Sequence, residues 1–84
     1  MITIYKTPEC FICGKVIQQL TAAHVPHKVI DLSEDAAAYE YVTKTLHAKA
    51  APVVIDSNNP EAWWSGPDPI AVAALIATYG TASA

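Results

Sequence analysis

Two cysteines, Cys10 and Cys13, are the side chains whose type and spacing most directly indicate chemistry. They are the only cysteines among the 84 residues, and Phe11 and Ile12 stand between them. Thiols three positions apart can exchange electrons as a reversible disulfide, bind a metal ion, or close a structural loop. Small secreted scaffolds usually carry four or more cysteines spread along the chain. One close pair therefore favours redox chemistry or a metal site.

The residues around the pair place it at the beginning of a helix. Residues 2–5 alternate in the manner of a strand, and Pro8 ends that strand. After Cys10 the apolar residues follow helical spacing, at Ile12, Val16, Ile17, Leu20 and Ala23. The N–H groups and the dipole at a helix start favour the thiolate, which is the nucleophilic form of a cysteine.

The spacing gives the two sulfur atoms different roles. Cys10 is the expected nucleophile, which attacks a substrate disulfide and forms a mixed disulfide. Cys13, one turn later and more buried, is expected to resolve that intermediate by attacking Cys10. Residues three apart on a helix have Cβ atoms about 5–6 Å apart and a disulfide needs about 3.5–4.5 Å, so a small adjustment closes the bond. Glu9 opposes the thiolate, whereas Lys6 and Lys15 favour it.

A zinc site is the main alternative from the residues alone. His24 and His27 complete the pattern C-x2-C-x10-H-x2-H with the two cysteines. The predicted helix separates the cysteines from the histidines by about 15–20 Å, which excludes a shared ion, and we predict no metal site. A structural disulfide would close a tiny loop and stabilise little. Two unreactive core cysteines would leave the position at a helix start unexplained.

The rest of the chain predicts three strands and two helices. Residues 27–32 indicate a second strand covered on both faces, and Ser33 caps the helix that follows. The buried stripe of that helix comprises Ala38, Tyr41, Val42, Thr45 and Leu46. Residues 51–55 indicate a third strand, and turn residues 56–60 join it in a hairpin to residues 62–64.

A third helix follows Gly66 and Pro67, with Asp68 as its cap and Pro69 at its first position. Its apolar face comprises Val72, Leu75, Ile76 and Tyr79, and Gly80 is expected to end it. The order β-α-β-α-β-β-α predicts an α/β domain over residues 1–80, followed by a flexible tail at 81–84. Its four-stranded mixed sheet has parallel first strands, an antiparallel hairpin and helices on both faces.

Composition excludes several classes of protein. With 52% hydrophobic and 15% charged residues, the chain is too apolar for a disordered protein. The net charge is -3, and the five cations are scattered lysines, which argues against nucleic-acid binding. The sequence has no apolar run of about 18 residues that would span a membrane. No secretory leader precedes the first predicted strand, so we expect a cytoplasmic location.

On this topology, four segments give the chain a family resemblance. Ile4-Tyr5 leads through Pro8 to the C-x-x-C, and the third strand begins with Ala51-Pro52-Val53-Val54. Trp64-Ser65-Gly66 follows, and Pro69-Ile70 continues into the last helix. The sequence resembles the thioredoxin superfamily, and specifically the glutaredoxin-like NrdH-redoxins, over almost its whole length. This resemblance implies the thioredoxin fold.

The resemblance also implies an activity and partners. Such a redoxin is reduced by thioredoxin reductase at the expense of NADPH, and it donates electrons to class Ib ribonucleotide reductase. It holds no bound cofactor, and we expect it to act as a monomer in the cytoplasm of a bacterium or a phage-infected bacterium. The matching residues are Cys10 as nucleophile, Cys13 as resolving cysteine and Pro52 as cis-proline. The expected substrate-binding surface comprises Ala51, Pro52, Val53, Phe11, Ile12, Trp64, Ser65 and Gly66.

The sequence departs from the family pattern at three places, and two other functions stay open. Lys6-Thr7-Pro8 replaces the usual Thr-Lys-Pro, Phe11-Ile12 is more apolar than the usual pair between the cysteines, and Pro67 replaces the phenylalanine of W-S-G-F. A glutathione-dependent glutaredoxin usually has a cation near the motif and a threonine before the cis-proline, where Ala51 stands here. Asp68 is a candidate partner for the glutathione amine. A non-catalytic binding module with the same fold is the other alternative.

Overall fold

A computed structural model describes residues 1–48 and 50–80 of the chain, so the tail predicted at 81–84 lies outside the described residues. The predicted order of elements is confirmed, with a π-helical segment and a short 3-10 turn added to it. The elements are β1 (Ile2–Lys6), α1 (Phe11–Ala22), β2 (His27–Asp31), α2 (Ala36–Glu40) with its π-helical continuation (Tyr41–Thr45), β3 (Val53–Asp56), the 3-10 turn (Pro60–Ala62), β4 (Trp64–Ser65) and α3 (Pro69–Tyr79).

The four strands form one mixed sheet in the order β2-β1-β3-β4. β1 pairs in parallel with β2, with Ile2 opposite His27. β3 pairs antiparallel with both β1 and β4, and Val53 lies opposite Tyr5 on one side and Ser65 on the other. This is the predicted four-stranded mixed sheet with three helices.

Strand alternation divides the interior into two cores, one on each face of the sheet. Ile2, Ile4 and Val54 face α1 and α3, where they pack with Val16, Leu20 and Val72. Val53 and Ile55 face α2 on the other side, where they pack with Leu32 and Val42. Full burial of each such aliphatic side chain stabilises the fold by about 1.5–3 kcal/mol. The sheet is therefore fixed from both sides.

The second strand differs from the prediction of a strand covered on both faces. β2 is an edge strand, and its central residue Val29 is 39% exposed. The helices cover β1 and β3 at the middle of the sheet, so an apolar run at the edge remains partly in solvent. The predicted Ser33 cap is also wrong. Ser33 binds the carboxylate of Asp31 in a turn, and Asp35 caps α2 by accepting the Ala38 N–H at 2.9 Å.

Two helical faces also differ from the predicted ones. On α1 the buried residues are Cys13, Val16 and Leu20, whereas Ile12, assigned to the buried face, is 37% exposed. Cys13 lies on the line of Val16 and Leu20, at spacings of three and four, and Ile12 precedes it by about 100° around the axis. On the α2 segment Val42 is buried as predicted, whereas Tyr41 and Thr45, in the π-helical continuation, are exposed.

The hairpin strands are shorter than predicted, and α3 begins as predicted. β3 starts at Val53 rather than residue 51, and residues 60–62 form the 3-10 turn, so β4 is restricted to Trp64 and Ser65.

Asp68 caps α3 by accepting the Ala71 N–H at 3.0 Å. Gly80 ends the helix in an extended conformation with φ -70° and not in the left-handed one. A Cβ there would lie 2.5 Å from the carbonyl oxygen of Ile76, which explains the glycine.

His24 gives a test of the backbone at the end of α1. It has a φ of 58°, its N–H donates to Thr21, and the Val25 N–H donates to Leu20, which is the Schellman arrangement. Because glycine adopts this conformation without a Cβ penalty, His24→Gly should stabilise the protein by about 0.5–1 kcal/mol. Thermal denaturation should then show a midpoint about 2–8 °C higher. Thr21→Gly, at a helical position of the last turn, should lower it, and a lower midpoint for His24→Gly would contradict this account.

Tyr79 gives a test with a pH dependence. Its hydroxyl donates to the carboxylate of Asp56, which joins the end of α3 to β3. This bond, with the Asn58 N–H, holds the pKa of Asp56 below its usual value. A lowered carboxyl pKa contributes stability above the pKa of the unfolded chain, and that stability is lost as the pH falls through the folded pKa.

Tyr79→Phe should therefore destabilise the protein by about 0.5–1.5 kcal/mol at pH 7. Below about pH 4 the difference between wild type and variant should shrink, because Asp56 becomes protonated in both. Urea unfolding at several pH values measures this difference. The exposed Tyr39 provides the control Tyr39→Phe, and a Tyr79→Phe effect that is constant down to pH 2 would contradict the assignment.

Candidate functional site

The two cysteines form a disulfide at the junction of β1 and α1. Cys10 precedes the helix and Cys13 lies in its first turn, with their Cα atoms 5.2 Å apart. Disulfides usually join Cα atoms about 4.4–6.8 Å apart. The first turn of α1 therefore accommodates the bond that the spacing predicts.

Cys10 is the N-cap of α1 through its own sulfur atom. Its backbone is extended, with φ -87° and ψ 103°, and its Sγ accepts the backbone N–H of Cys13 at 3.1 Å. Its carbonyl accepts the Gly14 N–H at 3.2 Å. The sulfur thus lies where unpaired N–H groups and the helix dipole favour negative charge. This geometry favours a thiolate at Cys10 when the pair is reduced.

The turn into the helix depends on Glu9. Its φ is 62°, a left-handed conformation that residues other than glycine seldom adopt. Non-glycine residues held in this conformation occur often at functional sites. Glu9 is exposed beside Cys10, so its charge opposes the thiolate, as expected from the sequence.

Exposure distinguishes the two sulfur-bearing side chains. Cys13 is 0% exposed and points into the protein interior, whereas Cys10 is partly exposed. Cys10 also lines an open groove beside α1, together with Lys6, Thr7, Glu9, Phe11, Gly14, Lys15, Ile17 and Gln18. A substrate that approaches through this groove reaches Cys10 first.

The two lysines near the pair have separate surroundings. Lys6 forms an ion pair with Asp31 at 3.3 Å, across the parallel strands β1 and β2. The Ser33 hydroxyl and N–H, followed by Lys6, hold the pKa of Asp31 below its usual value. Lys15 lies over the ring of Phe11, with its Nζ 5.6 Å from the ring centre. The ammonium of Lys6 is therefore bound to a residue of the neighbouring strand, whereas Lys15 lines the groove beside Cys10.

The segment that contains Pro52 is hydrogen-bonded to the segment that contains Gly66. The Ala51–Pro52 peptide bond is cis, Pro52 is buried, and its carbonyl accepts the Gly66 N–H at 2.9 Å. Gly66 is buried with a φ of 74°, a left-handed conformation that favours glycine. Ala51 and Ser65 are half-buried, whereas the side chain of Val53 is 0% exposed in the second core. The side chain of Val53 is therefore closed to a substrate. A binding role for Val53 stays a prediction, and it concerns the backbone of this residue only.

Phe11 and Ile12 form an apolar surface next to the disulfide. Phe11 is 78% exposed and Ile12 37% exposed. Both line a second groove, between α1 and the start of α3, whose other wall comprises Pro67, Asp68 and Pro69. The structure thus brings Phe11, Ile12 and both cysteines together at one end of α1.

The two tryptophans point to opposite faces of the sheet, as adjacent residues of an extended segment do. Trp63 packs against the core under α2, and Trp64 against the core under α1 and α3. Trp64 also lines a third groove, between the hairpin and α3, with Asp56 and Tyr79. This groove does not contain Cys10, so the substrate-binding role of Trp64 stays a prediction.

Three further residues, to which the sequence pattern gave no role in the site, line the groove beside Cys10: Thr7, Gly14 and Gln18. Gly14 and Gln18 follow Cys10 at intervals of four residues, and this interval places side chains above one another on a helix. This spacing from Cys10 could have predicted that Gly14 and Gln18 lie on the same side of the helix as the nucleophile.

The zinc arrangement is incompatible with this fold. The cysteines lie at the N-terminal end of α1, whereas His24 follows its C-terminal end and His27 begins β2 beside Ile2. Across residues 1–48 and 50–80, no group of three or more His, Cys, Asp or Glu side chains is placed to hold a metal ion. In the same part of the chain, no helix has the length and apolar character to cross a membrane.

Known proteins resemble this chain in both sequence and fold. Residues 2–58 match the family model of glutaredoxin. The Gene 56 protein of Mycobacterium phage L5 is 40% identical over 60 residues, which cover 70% of this chain and 58% of that protein. The Gene 56 protein of Mycobacterium phage D29 is 41% identical over 54 residues, covering 64% and 60%. The chain therefore spans less than two thirds of the length of these relatives.

Solved structures share the fold. The thioredoxin-like protein BC3987 superposes with a TM-score of 0.78 at 24% identity, over 89% of this chain and 99% of that one. NrdH-redoxin from Escherichia coli, described as a glutaredoxin-like protein with a thioredoxin-like activity profile, gives 0.77 at 24% identity, over 88% and 92%. These likenesses confirm the predicted thioredoxin fold. The family model covers more than half of the residues and includes both cysteines, so the chain belongs to the glutaredoxin family of the thioredoxin superfamily.

Proposed function

We propose that this protein is a dithiol–disulfide oxidoreductase of the NrdH-redoxin type that reduces protein disulfides. The observation that carries the proposal is the Cys10–Cys13 disulfide at the start of α1, with Cys10 partly exposed and Cys13 fully buried. Family membership supports it, because a glutaredoxin-family chain with this pair has the parts that thiol–disulfide exchange needs.

The reaction follows from the positions of the two sulfur atoms. In the reduced protein the Cys10 thiolate attacks one sulfur of the substrate disulfide, and the other substrate sulfur leaves as a thiolate that takes up a proton. The Cys13 thiol, after losing its proton, attacks Cys10 in the mixed disulfide. The S–S bond to the substrate then breaks, and the substrate leaves as a dithiol. Two electrons have moved to the substrate, and the Cys10–Cys13 disulfide remains.

Residues around the helix start support these roles. The Cys13 N–H already contacts the Cys10 sulfur at 3.1 Å, and it would stabilise a thiolate there. Cys13 is enclosed by the core under α1, so a substrate sulfur meets Cys10 first. Ala51 and Ser65 are proposed to bind the substrate chain through their backbone groups, and Pro52 and Gly66, which bond to each other, to shape the surface beside them. Phe11 and Ile12 are proposed to bind it through apolar contact.

The electron source is proposed to be thioredoxin reductase, supplied by NADPH, and not glutathione. Two features support this choice. Ala51 stands where glutathione-binding relatives usually have a threonine, and the ammonium of Lys6 is engaged by Asp31 at 3.3 Å. Asp68 is the candidate partner for a glutathione amine, but one oxygen of its carboxylate already accepts the Ala71 N–H as the cap of α3. Class Ib ribonucleotide reductase is the proposed acceptor. This acceptor is inferred from the family resemblance, with a bacterial or phage-infected cytoplasm as the setting.

NADPH oxidation in the presence of a protein disulfide tests this function. With thioredoxin reductase, the wild-type protein should support steady oxidation, whereas glutathione plus glutathione reductase should give about a tenth of that rate or less, the ratio that 1.4 kcal/mol produces. Cys10→Ser should abolish turnover in both assays, because it removes the nucleophile.

The other outcomes identify the alternatives. Turnover only with glutathione would make the protein a glutathione-dependent glutaredoxin. Absence of turnover in both assays, with a correctly folded protein, would favour the binding module. Full activity of Cys10→Ser would contradict the proposed role of Cys10.

A further inference from the structure

Gly14 lies within α1, and no contact in the described part of the protein explains why this position is a glycine. Glycine destabilises a helix interior relative to alanine, because its backbone loses more freedom on folding. A Cβ added at Gly14 would meet no heavy atom within 4 Å, and its φ is not in the left-handed region. By contrast, Gly66 needs its φ of 74° and Gly80 has a carbonyl oxygen 2.5 Å from the Cβ position. The fold does not require a glycine at position 14.

The position of Gly14 connects it to the disulfide. Its N–H donates to the carbonyl of Cys10 at 3.2 Å, and both residues line the same groove. Gln18, one turn further along, continues this line and is exposed. The helix therefore presents one position without a side chain directly beside Cys10, and the amide side chain of Gln18 lies one turn further along.

The charge beside the groove indicates what fits it. Lys6 and Glu9 line it too. The ammonium of Lys6 is neutralised by Asp31, and the exposed Glu9 carboxylate next to Cys10 leaves only the Lys15 side of the groove favourable to a second carboxylate. Among the described residues Lys15 forms no ion pair, and its ammonium lies over the Phe11 ring. Lys15 is thus a cation available to an approaching carboxylate.

We propose that the groove over Gly14 docks the backbone of a protein substrate, in an extended segment next to the substrate cysteine. The absence of a side chain at Gly14 lets that backbone approach α1 closely while Cys10 attacks, and an acidic side chain of the segment lies beside Lys15. This inference rests on the proposed function and specifies its substrate: a polypeptide disulfide with acidic residues near the cysteine. A small disulfide can react at Cys10 but has no extended segment to lie over Gly14.

The test compares two substrates, insulin and 5,5′-dithiobis(2-nitrobenzoate), each mixed with protein that has first been reduced and then freed of reductant, so that only the protein's own thiols can attack. Gly14→Ala and the bulkier Gly14→Met should lower the ratio of the insulin rate constant to the small-disulfide rate constant, by about tenfold for Met, the change that 1.4 kcal/mol produces. Gly14→Ala should at the same time raise the thermal midpoint by about 2–8 °C. Thr21→Ala, on an exposed position of the same helix away from the groove, is the control and should leave the ratio unchanged.

The outcomes separate this inference from the proposed function. An unchanged ratio in both Gly14 variants would overturn the docking site, and so would a parallel fall with both substrates. Failure of the wild-type protein to reduce either disulfide would instead overturn the proposed function.

Two cyclic cystine peptides test the charge. They are identical except that glutamates flank the cysteines in one and lysines in the other. The wild-type protein should reduce the glutamate peptide faster, and Lys15→Gln should diminish that preference at least twofold. Equal rates with the two peptides would overturn the acidic part of the proposal.

Discussion

The first turn of α1 fixes the positions of both sulfur atoms. The Cys13 N–H contacts the Cys10 sulfur at 3.1 Å, the Gly14 N–H contacts the Cys10 carbonyl at 3.2 Å, and Glu9 turns the chain into the helix with a φ of 62°. If the helix began one residue later, Cys10 would lose its place among the unpaired N–H groups that favour a thiolate. The chemistry of the pair therefore depends on where this helix starts.

Packing holds that start in place. Val16 and Leu20 anchor α1 to Ile2, Ile4 and Val54 of the sheet, and the same face of the helix buries Cys13. The opposite face stays open, so Cys10 and Gly14 line a groove. One amphipathic helix thus gives the two cysteines different exposures, and this difference underlies the order of attack that we propose.

Local signals predicted most of the fold. The period of the apolar residues placed α1, and the Asp68-Pro69 cap placed the start of α3, because each signal lies within a few neighbouring residues. The exposed β2 edge and the Asp35 cap were missed, since they depend on which strands become neighbours and on a turn in which Ser33 binds Asp31. At the site, the spacing of the cysteines predicted the disulfide. The ion pair of Lys6 with Asp31 arises from the strand register, which the sequence does not state.

In the reaction that we propose, Cys10 attacks the substrate and Cys13 resolves the intermediate. Trapping the mixed disulfide distinguishes these roles: reduced Cys13→Ser and reduced Cys10→Ser are each incubated with a protein disulfide and analysed by intact mass. We expect a covalent adduct through Cys10 in Cys13→Ser and almost none in Cys10→Ser, because Cys13 is 0% exposed. An adduct that forms as readily through Cys13 in Cys10→Ser would show that Cys13 can act as the attacking thiol and would rule out the proposed order.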